Sequence, residues 1–402
     1  MTVRPFDLNL RHLRALSAVV ARGSLNAAAE AVSLSQPALT QGLGKLERQL
    51  GVALFDRRPD GASPTPAGLV MAERSERAFA HLAAAGRSLG RGARGFARPE
   101  QLMTATQLHA FQQLADAGSF VGAAARSGLS QPALHRAVRD LEQICAVVLA
   151  ERRGRGVALT EAGRRLARGV RLAASEIAAG VSEALGDDAP GGRIVIGAMP
   201  LSRALVLPHA IARFVAANPG VTVDVIEGSW RELIEPLRDG VIDVMIGAVR
   251  DEPPPGFDQA PLFSDRLAVV ARAGHPLAGR PVTRADLAAF PWIVGSAGTP
   301  LRAQWVNLFA DAAKPAAPIE CGSVMVIRGV LIDSDFLTLL SPDQIALEIA
   351  SSVLTLIDAE VPNGERRIGV TTRAGWRPTR SQAAMLTEID RAVVQTRVPK
   401  SQ

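Results

Sequence analysis

Cysteine is almost absent from this sequence of 402 residues, since only Cys145 and Cys321 are present and they lie far apart along the chain. Neither a disulfide framework nor a zinc site with paired ligand spacing is supported, so both thiols are predicted to be small buried hydrophobic side chains. The six histidines are likewise scattered and form no ligand-like pair. We therefore expect neither a metal ion nor another cofactor.

Long apolar runs and catalytic motifs are missing as well. No uninterrupted apolar stretch approaches the roughly 20 residues that a membrane-spanning helix needs. Asp7, Arg11 and Arg14 occupy the region where a signal peptide requires an unbroken apolar core. The sequence contains no G-x-S-x-G elbow, zincin motif or paired Cys/His set. It predicts a cytoplasmic protein that is not an enzyme and does not bind membranes.

The chain has ample apolar content, at 48%, and an uneven charge distribution. That content and length predict at least two folded domains, each with its own core. Residues 1–185 carry 24 Lys and Arg against 15 Asp and Glu, a net charge of +9, whereas the remainder carries 21 against 24. The basic half is therefore the candidate for nucleic-acid binding.

An internal repeat lies within this basic half. The six residues LSQPAL at 34–39 recur at 129–134, an offset of 95 residues. The same offset pairs Gly23-Ser24 with Gly118-Ser119 and Thr65 with Thr160. So long a register without gaps indicates a duplicated domain.

Each copy is predicted to be a winged helix-turn-helix unit, with a short helix, a turn, a longer helix and a basic hairpin. Ser35 and Ser130 are placed to cap the longer helix, and Pro37 and Pro132 stand in its first turn, where a missing N–H costs nothing. A helix capped in this way projects its first turns toward base edges, and the hairpin suits phosphate contact. The predicted DNA-binding residues are Ser35, Gln36, Pro37, Thr40, Gln41, Arg57 and Arg58 in copy one, and Ser130, Gln131, Pro132, His135, Arg136, Arg139, Arg152, Arg153 and Arg155 in copy two.

The sequence of these two copies resembles the N-terminal unit of the LysR-type transcriptional regulators. That unit carries the patterns G-S-x-x-x-A-A, S-Q-P-A-L, L-E, L-F-x-R and L-T-x-A-G. Both copies carry most of these patterns, although family members usually have one such unit. Gly42 and Gly44 suggest a looser recognition helix in copy one. Arg136 and Arg139 suggest more phosphate contact in copy two.

A further helix is predicted after each hairpin. The second of these helices carries a nearly heptad apolar stripe that comprises Leu166, Val170, Ala173, Ile177, Val181 and Ala184. Such a stripe suits either pairing with another helix, as in the family's dimerising linker, or burial on its own domain. The first helix runs into the Gly/Arg-rich residues 86–95, which predict a flexible joint. One hypothesis is that the two copies pair within a chain, with linker helices that imitate the usual dimer.

From residue 191 the pattern changes to alternating strands and helices, typical of a doubly wound α/β layout in two lobes. The resemblance to the LysR effector domain covers residues 191–392. Ligands of such sheets bind beyond the carboxyl ends of the strands. The predicted effector-binding residues are Met199, Ser202 and Gly247 in the first lobe, and Ser296, Thr299, Arg302, Gly322 and Ser323 farther along. Arg302 could hold a carboxylate through a charge-assisted fork.

The predicted fold is therefore multidomain, with two mainly-α winged helix-turn-helix domains and a two-lobed α/β effector domain similar to periplasmic binding proteins. The boundaries are residues 1–66 for copy one, 67–100 for its linker helix and joint, 101–163 for copy two, 164–188 for the dimerisation helix and 191–402 for the effector domain. Lobe one takes about 191–262 and 365–395, and lobe two about 263–364.

The predicted function is a transcriptional regulator that binds double-stranded DNA under the control of a small molecule held between the lobes. We expect a homo-oligomer, dimer or tetramer, that also contacts RNA polymerase. Stretches such as LSRA at 201–204 and GTPLR at 298–302 are similar to the family branch that contains the galactose-binding-protein regulator. That similarity implies a sugar or an aromatic or carboxylic acid as effector. The alternative is a solute-binding or architectural DNA-binding protein without ligand-coupled regulation.

Overall fold

A computed structural model describes residues 3–58, 61–89, 96–154, 156–186, 192–199 and 206–397, without the side chains of 57–58, 61–62 and 396–397. The chain folds as two compact units. The N-terminal unit takes residues 1–192 and 238–241, and the sensor unit takes the rest. Within the described ranges, no helix is long and apolar enough to cross a membrane.

The N-terminal unit contains one series of elements twice. The first series is α1 Leu10–Arg22, α2 Leu25–Ala31, α3 Gln36–Leu50, β1 Phe55–Arg58, β2 Gly61–Pro64 and α4 Pro66–Ser88. The second is α5 Ala105–Ala117, α6 Phe120–Ser127, α7 Gln131–Cys145, β3 Ala150–Arg153, β4 Gly156–Leu159 and α8 Glu161–Leu185. In each series the two strands form an antiparallel hairpin.

The longer helices α3 and α7 start and pack as the sequence pattern predicts. Ser35 Oγ accepts a hydrogen bond from Ala38 N at 3.4 Å, and Ser130 Oγ accepts one from Ala133 N at 3.3 Å. Each helix buries one apolar stripe, which comprises Leu39, Leu43, Leu46 and Leu50 in α3 and Leu134, Val138, Leu141 and Cys145 in α7. The prediction of a buried Cys145 is confirmed, whereas Cys321 is only half-buried.

A glutamate in each copy ties the end of the longer helix to the hairpin. Glu47 Oε1 accepts hydrogen bonds from the backbone N–H groups of Leu54 at 2.9 Å and Phe55 at 3.2 Å. Glu142 accepts the two equivalent bonds of the second copy at 2.9 and 3.3 Å. These N–H groups lie at the start of the hairpin, so the carboxylate satisfies two backbone donors beside the core.

Helices α4 and α8 pack antiparallel against each other within the chain. Arg74 lies beside Glu183 near one end of the pair, and Arg165 Nη1 donates to Ser88 O at 2.9 Å near the other. The predicted stripe of α8 is buried from Leu166 to Val181, and Ala184 is half-buried. Each fully buried Leu, Val or Ile contributes about 1.5–3 kcal/mol, so this stripe is a large part of the unit's stability.

The first sheet of the sensor unit has the strand order β6-β5-β7-β14-β8. Strands β5, β6 and β7 are parallel, and β14 runs antiparallel to both of its neighbours. Its elements are β5 Arg193–Ala198, α9 Val206–Ala217, β6 Thr222–Glu227, α10 Trp230–Arg238, β7 Val244–Ala248, β8 Phe257–Arg266, β14 Glu365–Arg373 and α15 Arg380–Arg397. Strand β8 carries this sheet to Arg266, somewhat beyond residue 262, where lobe one was predicted to end.

The second part of the sensor unit holds a three-stranded antiparallel sheet, ordered β12-β9-β13, and a parallel pair, β10-β11. Its elements are β9 Ala268–Arg272, α11 Arg284–Ala288, β10 Ile293–Val294, α12 Pro300–Leu308, β11 Ile319–Glu320, α13 Val324–Ile332, β12 Thr338–Leu340, α14 Ala346–Ala350 and β13 Leu354–Ile357. Separate apolar cores under the two sheets give the α/β layout expected from the sequence.

A buried ion pair holds the place where the chain passes between the two sheets. Asp265, at the end of β8, accepts a hydrogen bond from Ser341 Oγ at 2.6 Å and one from Arg366 Nε at 3.0 Å. Asp265 is 7% exposed. Both carboxylate oxygens are thus satisfied, which offsets the cost of burying the charge.

Candidate nucleic-acid interface and ligand cleft

The first turns of α3 present polar side chains to solvent. Ser35, Gln36, Pro37, Thr40 and Gln41 are all exposed, while the opposite face of the helix enters the core. The cap at Ser35 fixes where the helix begins, so the positions of these side chains follow from local sequence. This is the arrangement in which a helix can offer hydrogen-bonding groups to base edges in a major groove.

The equivalent surface of α7 is more basic. Ser130, Gln131, Pro132, Arg136 and Arg139 are exposed along its outer face. His135 is exposed too, but its ring stacks on Phe120 of α6 with centroids 3.6 Å apart. One face of this imidazole is therefore covered by protein, while the rest of the side chain stays exposed.

The hairpins lie beside these helices. Arg57 and Arg58 pair through their backbones with Ala62 and Gly61, and their side chains lie outside the described residues. In the second hairpin, Arg152 and Arg153 are exposed and pair with Val157 and Gly156. Arg155 lies outside the described residues. Exposed arginines on a hairpin can bind the phosphate backbone at either edge of a groove.

Gly42 has a packing role that the sequence did not suggest. A Cβ at this position would lie 2.7 Å from Cδ2 of His12, so the glycine lets the ring of His12 approach the helix. Burial lowers the pKa of His12, and the charges of Lys45 and Arg11 lower it further. The ring of His12, on α1, packs against α3 at Gly42. This contact stabilises the helix at a position where the glycine was expected to loosen it.

The first-lobe candidates for a ligand cleft lie at the carboxyl edge of parallel strands. Met199 follows β5, and its side chain covers Gly247 in β7, where an added Cβ would lie 2.4 Å from Met199 Sδ. Met199 and Gly247 are thus brought together, as expected for strand ends at one sheet edge. Ser202 lies outside the described residues.

The second-lobe candidates form a turn and two helix starts. Thr299 caps α12, and its Oγ1 accepts from Arg302 N at 3.3 Å and donates to Ser296 O at 2.6 Å. Ser323 caps α13 and is exposed, as is the neighbouring Gly322. The threonine hydroxyl is therefore used within the turn, while the side chain of Ser296 stays exposed.

Arg302 was predicted to be available for a ligand carboxylate, but it already has an anionic partner. Its Nη1 lies 3.6 Å from Oε2 of Glu320. The other oxygen of Glu320 accepts a hydrogen bond from Ala297 N in the same turn at 3.2 Å. Glu320, which the sequence analysis did not single out, is thus the anionic neighbour of Arg302 in this turn.

Arg231 and Trp230 were also missed by the sequence reading. The guanidinium of Arg231 lies 3.7 Å from the position that a Cβ on Gly298 would take. The turn after β6 therefore lies close to the turn before α12. The guanidinium of Arg250 lies 4.6 Å from the centroid of the Trp230 ring. The position of residues 230–231 just after a parallel strand was the available signal.

Comparison with known families gives two kinds of match. A model described as the LysR substrate binding domain matches residues 187–393. A model described as a bacterial regulatory helix-turn-helix protein of the lysR family matches twice, at residues 10–69 and 105–164. The two helix-turn-helix matches lie on the two series of elements in the N-terminal unit.

Individual proteins give similar results. The HTH-type transcriptional regulator GalR of Pseudomonas putida is 32% identical over 401 residues, covering 96% of this chain and 98% of that protein. GbpR of Azospirillum brasilense, also an HTH-type regulator, is 32% identical over 226 residues, covering 54% of this chain and 65% of its own. A full-length OxyR variant from Pseudomonas aeruginosa has a similar fold, with a TM-score of 0.58 at 21% identity, over 72% of this chain and 93% of that one.

Proposed function

The chain belongs to the LysR family of transcriptional regulators, and we propose that both of its N-terminal copies read DNA. Regulators of this family bind DNA and a small-molecule effector and form oligomers. The observation that carries the proposal is that α3 and α7 present the same capped, exposed polar turn within one compact unit.

Matched substitutions in the two copies test this proposal. Gln36→Ala and Gln131→Ala each remove one exposed amide without touching a cap or the core. On DNA from upstream of its own gene, we expect each variant to lose protection over a different part of the footprint. The exposed Glu76→Ala on the outer face of α4 is the control. If Gln36→Ala protects DNA as the unaltered chain does, while Gln131→Ala does not, copy one is not a reader.

Point variants test this proposal more directly than deletion of copy one does. Removing residues 1–98 would take α4 away from α8 and expose the buried stripe that contains Leu166, Val170 and Ile177. Loss of DNA binding after that deletion would then report loss of the unit's core. Single-residue changes on exposed faces avoid this effect.

We propose that the effector lies between the two sheets of the sensor unit, near Met199, Gly247, Ser296, Arg302 and Ser323. The turns that carry these residues end parallel strands, and Arg231 reaches from one sheet to the turn of the other. The cations Arg231 and Arg302 favour an effector with a carboxylate, which would compete with Glu320 for Arg302. A hydroxyl-rich sugar is the second candidate because Ser296 and Ser323 are exposed.

The effector proposal is tested by ligand-induced stabilisation of the sensor unit. We expect an aromatic or aliphatic carboxylic acid to raise its melting temperature, and Arg302→Ala to abolish the shift. Arg284→Ala is a control because its guanidinium pairs with Asp311 on a different surface. A shift that occurs with neutral sugars and survives Arg302→Ala would favour the sugar.

Effector binding would act by changing the population of two arrangements of the oligomer on DNA. In this proposal the protein works in the cytoplasm as a homo-oligomer and contacts RNA polymerase at the promoter. A saturating effector should then alter DNA bending or the footprint. If it alters neither, the sensor unit is not coupled to DNA binding in this way.

A further inference from the structure

The contact between α4 and α8 contains a buried cluster of opposite charges. Arg74 is 1% exposed, and its Nη1 lies 2.8 Å from Oε2 of Glu176, while its other terminal nitrogen bonds Glu183. Arg77 Nε reaches the second oxygen of Glu176 at 3.0 Å. All the cations of this cluster come from α4 and both carboxylates come from α8.

Glu176 keeps its negative charge at neutral pH. Burial alone would raise the pKa of Glu176, but the nearby His81, the hydrogen bond from Arg74 and the charges of Arg77 and Arg74 lower it to about 2. Glu176 is therefore a carboxylate whose burial is tolerated because α4 supplies the cations. Another partner helix would have to supply the same cations.

The shapes of the two helices are complementary as well. A Cβ on Gly169 of α8 would lie 2.5 Å from Cβ of Ala85, and one on Gly180 would lie 3.0 Å from Cβ of Arg74. The two glycines thus make room for two side chains of α4. Small residues on one helix and larger ones on the other let the helix backbones approach closely.

The repeat shows what a symmetric pair would contain. At the offset of 95 residues, Arg74 corresponds to Gly169, His81 to Glu176 and Ala85 to Gly180. Two copies of α8 paired in this register would place Gly169 opposite Gly180, which leaves gaps where Arg74 and Ala85 now lie. They would also bring Glu176 of one chain against Glu176 of the other, because His81 lies 3.9 Å from Glu176 in the present pair.

We propose that α8 is built to accept α4 of the same chain and to reject a second α8, so that each chain assembles its two-copy N-terminal unit by itself. Two buried carboxylates, Glu176 of one chain and Glu176 of the other, would then face each other with no cation between them, which would be strongly unfavourable. Only residues 89–98 separate α4 from the 3-10 turn at Pro99–Gln101, which packs back against α4. Copy two therefore starts close to α4, and α8, which begins at Glu161 at the end of that copy, is held near α4 at a high effective concentration.

Crosslinking of the full-length chain tests the pairing. The variant carries Ser88→Cys on α4 and Arg165→Cys on α8, at the end of the pair where these residues are bonded, with Cys321→Ser as background. Cys145 can remain, because burial raises the pKa of its thiol to about 11 and so suppresses its reaction. A short bismaleimide should then give mainly a monomer with residues 88 and 165 bridged, identified by peptide mass.

Two further samples decide between pairing within a chain and pairing between chains. Chains carrying only Ser88→Cys are co-expressed with tagged chains carrying only Arg165→Cys, and we expect no covalent dimer of the two. The matched control is Glu76→Cys with Ala178→Cys, two exposed positions on the outer faces of the same helices. The bridged monomer should exceed this control by about tenfold or more, as effective concentration predicts.

A covalent dimer of the co-expressed chains above the control level, or a double variant without the bridged monomer, would overturn the proposal. The measurement reads helix pairing alone, so it stands apart from the proposal that both copies read DNA. Footprints of Gln36→Ala and Gln131→Ala can fail while the intrachain bridge forms, and the reverse is equally possible.

Discussion

Removal of the buried Arg74 side chain is expected to cost the N-terminal unit about 3–5 kcal/mol of unfolding free energy, the usual result of leaving a buried charge without its partner. Arg74→Ala takes from Glu183 its bond to Arg74 and from Glu176 its contact at 2.8 Å. Glu176 keeps Arg77 at 3.0 Å, but that side chain is 31% exposed and its charge is better screened by water. Because Glu176 keeps this second cation, the loss should still approach the lower end of the range.

The assay is urea unfolding of the full-length chain with hydrogen exchange read peptide by peptide. Amide protons of α4 and α8 should exchange faster in Arg74→Ala, while those of the sensor unit keep their protection. Arg164→Ala is the matched control, since its pair with Glu161 is exposed, lies within α8 and should contribute little to stability. If both variants lose equal stability, the buried cluster does not hold the helices together.

A triple apolar variant separates stability from specificity. Arg74→Met with Glu176→Met and Glu183→Leu removes the three most buried charges of the cluster at once, so stability should return to within about 1 kcal/mol of the unaltered chain or exceed it. The same chain should lose the charge-based rejection of an α8 partner. A triple variant that remains as unstable as Arg74→Ala would mean that the side chain of Arg74 stabilises by packing rather than by charge.

Three further results are expected. The pKa of Glu176 is about 2 in the folded chain against an ordinary 4.5. About 3 kcal/mol of unfolding free energy, present above pH 4.5, should therefore be lost as the pH falls from 4.5 toward 2. Glu176→Gln should flatten this acid dependence in urea titrations. Gln131→Ala should relax base preference, whereas Arg153→Ala should weaken binding to all sequences and reduce the salt slope by about one; equal losses on every sequence for both would refute the assignment. Asp265→Ala should destabilise the sensor unit by about 3 kcal/mol, seen by calorimetry as a lower melting temperature, and an unchanged transition would show that Asp265 does not hold the two sheets.

Much of the N-terminal unit could be predicted because its signals are local. Ser35 and Ser130 cap the helices that the sequence assigned to them, and the buried leucines of α3 follow the expected period. The role of Gly42 was not predictable in the same way. Its neighbour His12 is distant in sequence, and only the packing of α1 on α3 shows why a side chain cannot be accommodated there.

The surroundings of the candidate effector-binding residues could be predicted less completely. Strand ends and helix caps led to the predicted turns, and Met199 lies against Gly247. The pairing of Arg302 with Glu320 was missed because the two residues belong to different elements and no periodicity relates them. Arg231 was missed for the same reason, since its approach to Gly298 depends on how the two sheets face each other.

The sequence by itself determined the repeat, the positions of the helix ends, the basic character of the first half and the family, because caps, hydrophobic periods and motifs are properties of neighbouring residues. Tertiary structure alone decided the partner of α8. The stripe from Leu166 to Val181 fits any apolar helix, and both a second chain and the first copy could have covered it. The choice depends on the ion pairs of Arg74 and Arg77 with Glu176 and Glu183, which are about a hundred residues away in sequence. It also depends on the glycines of α8 that lie opposite larger side chains of α4. Both kinds of contact exist only once the helices have packed.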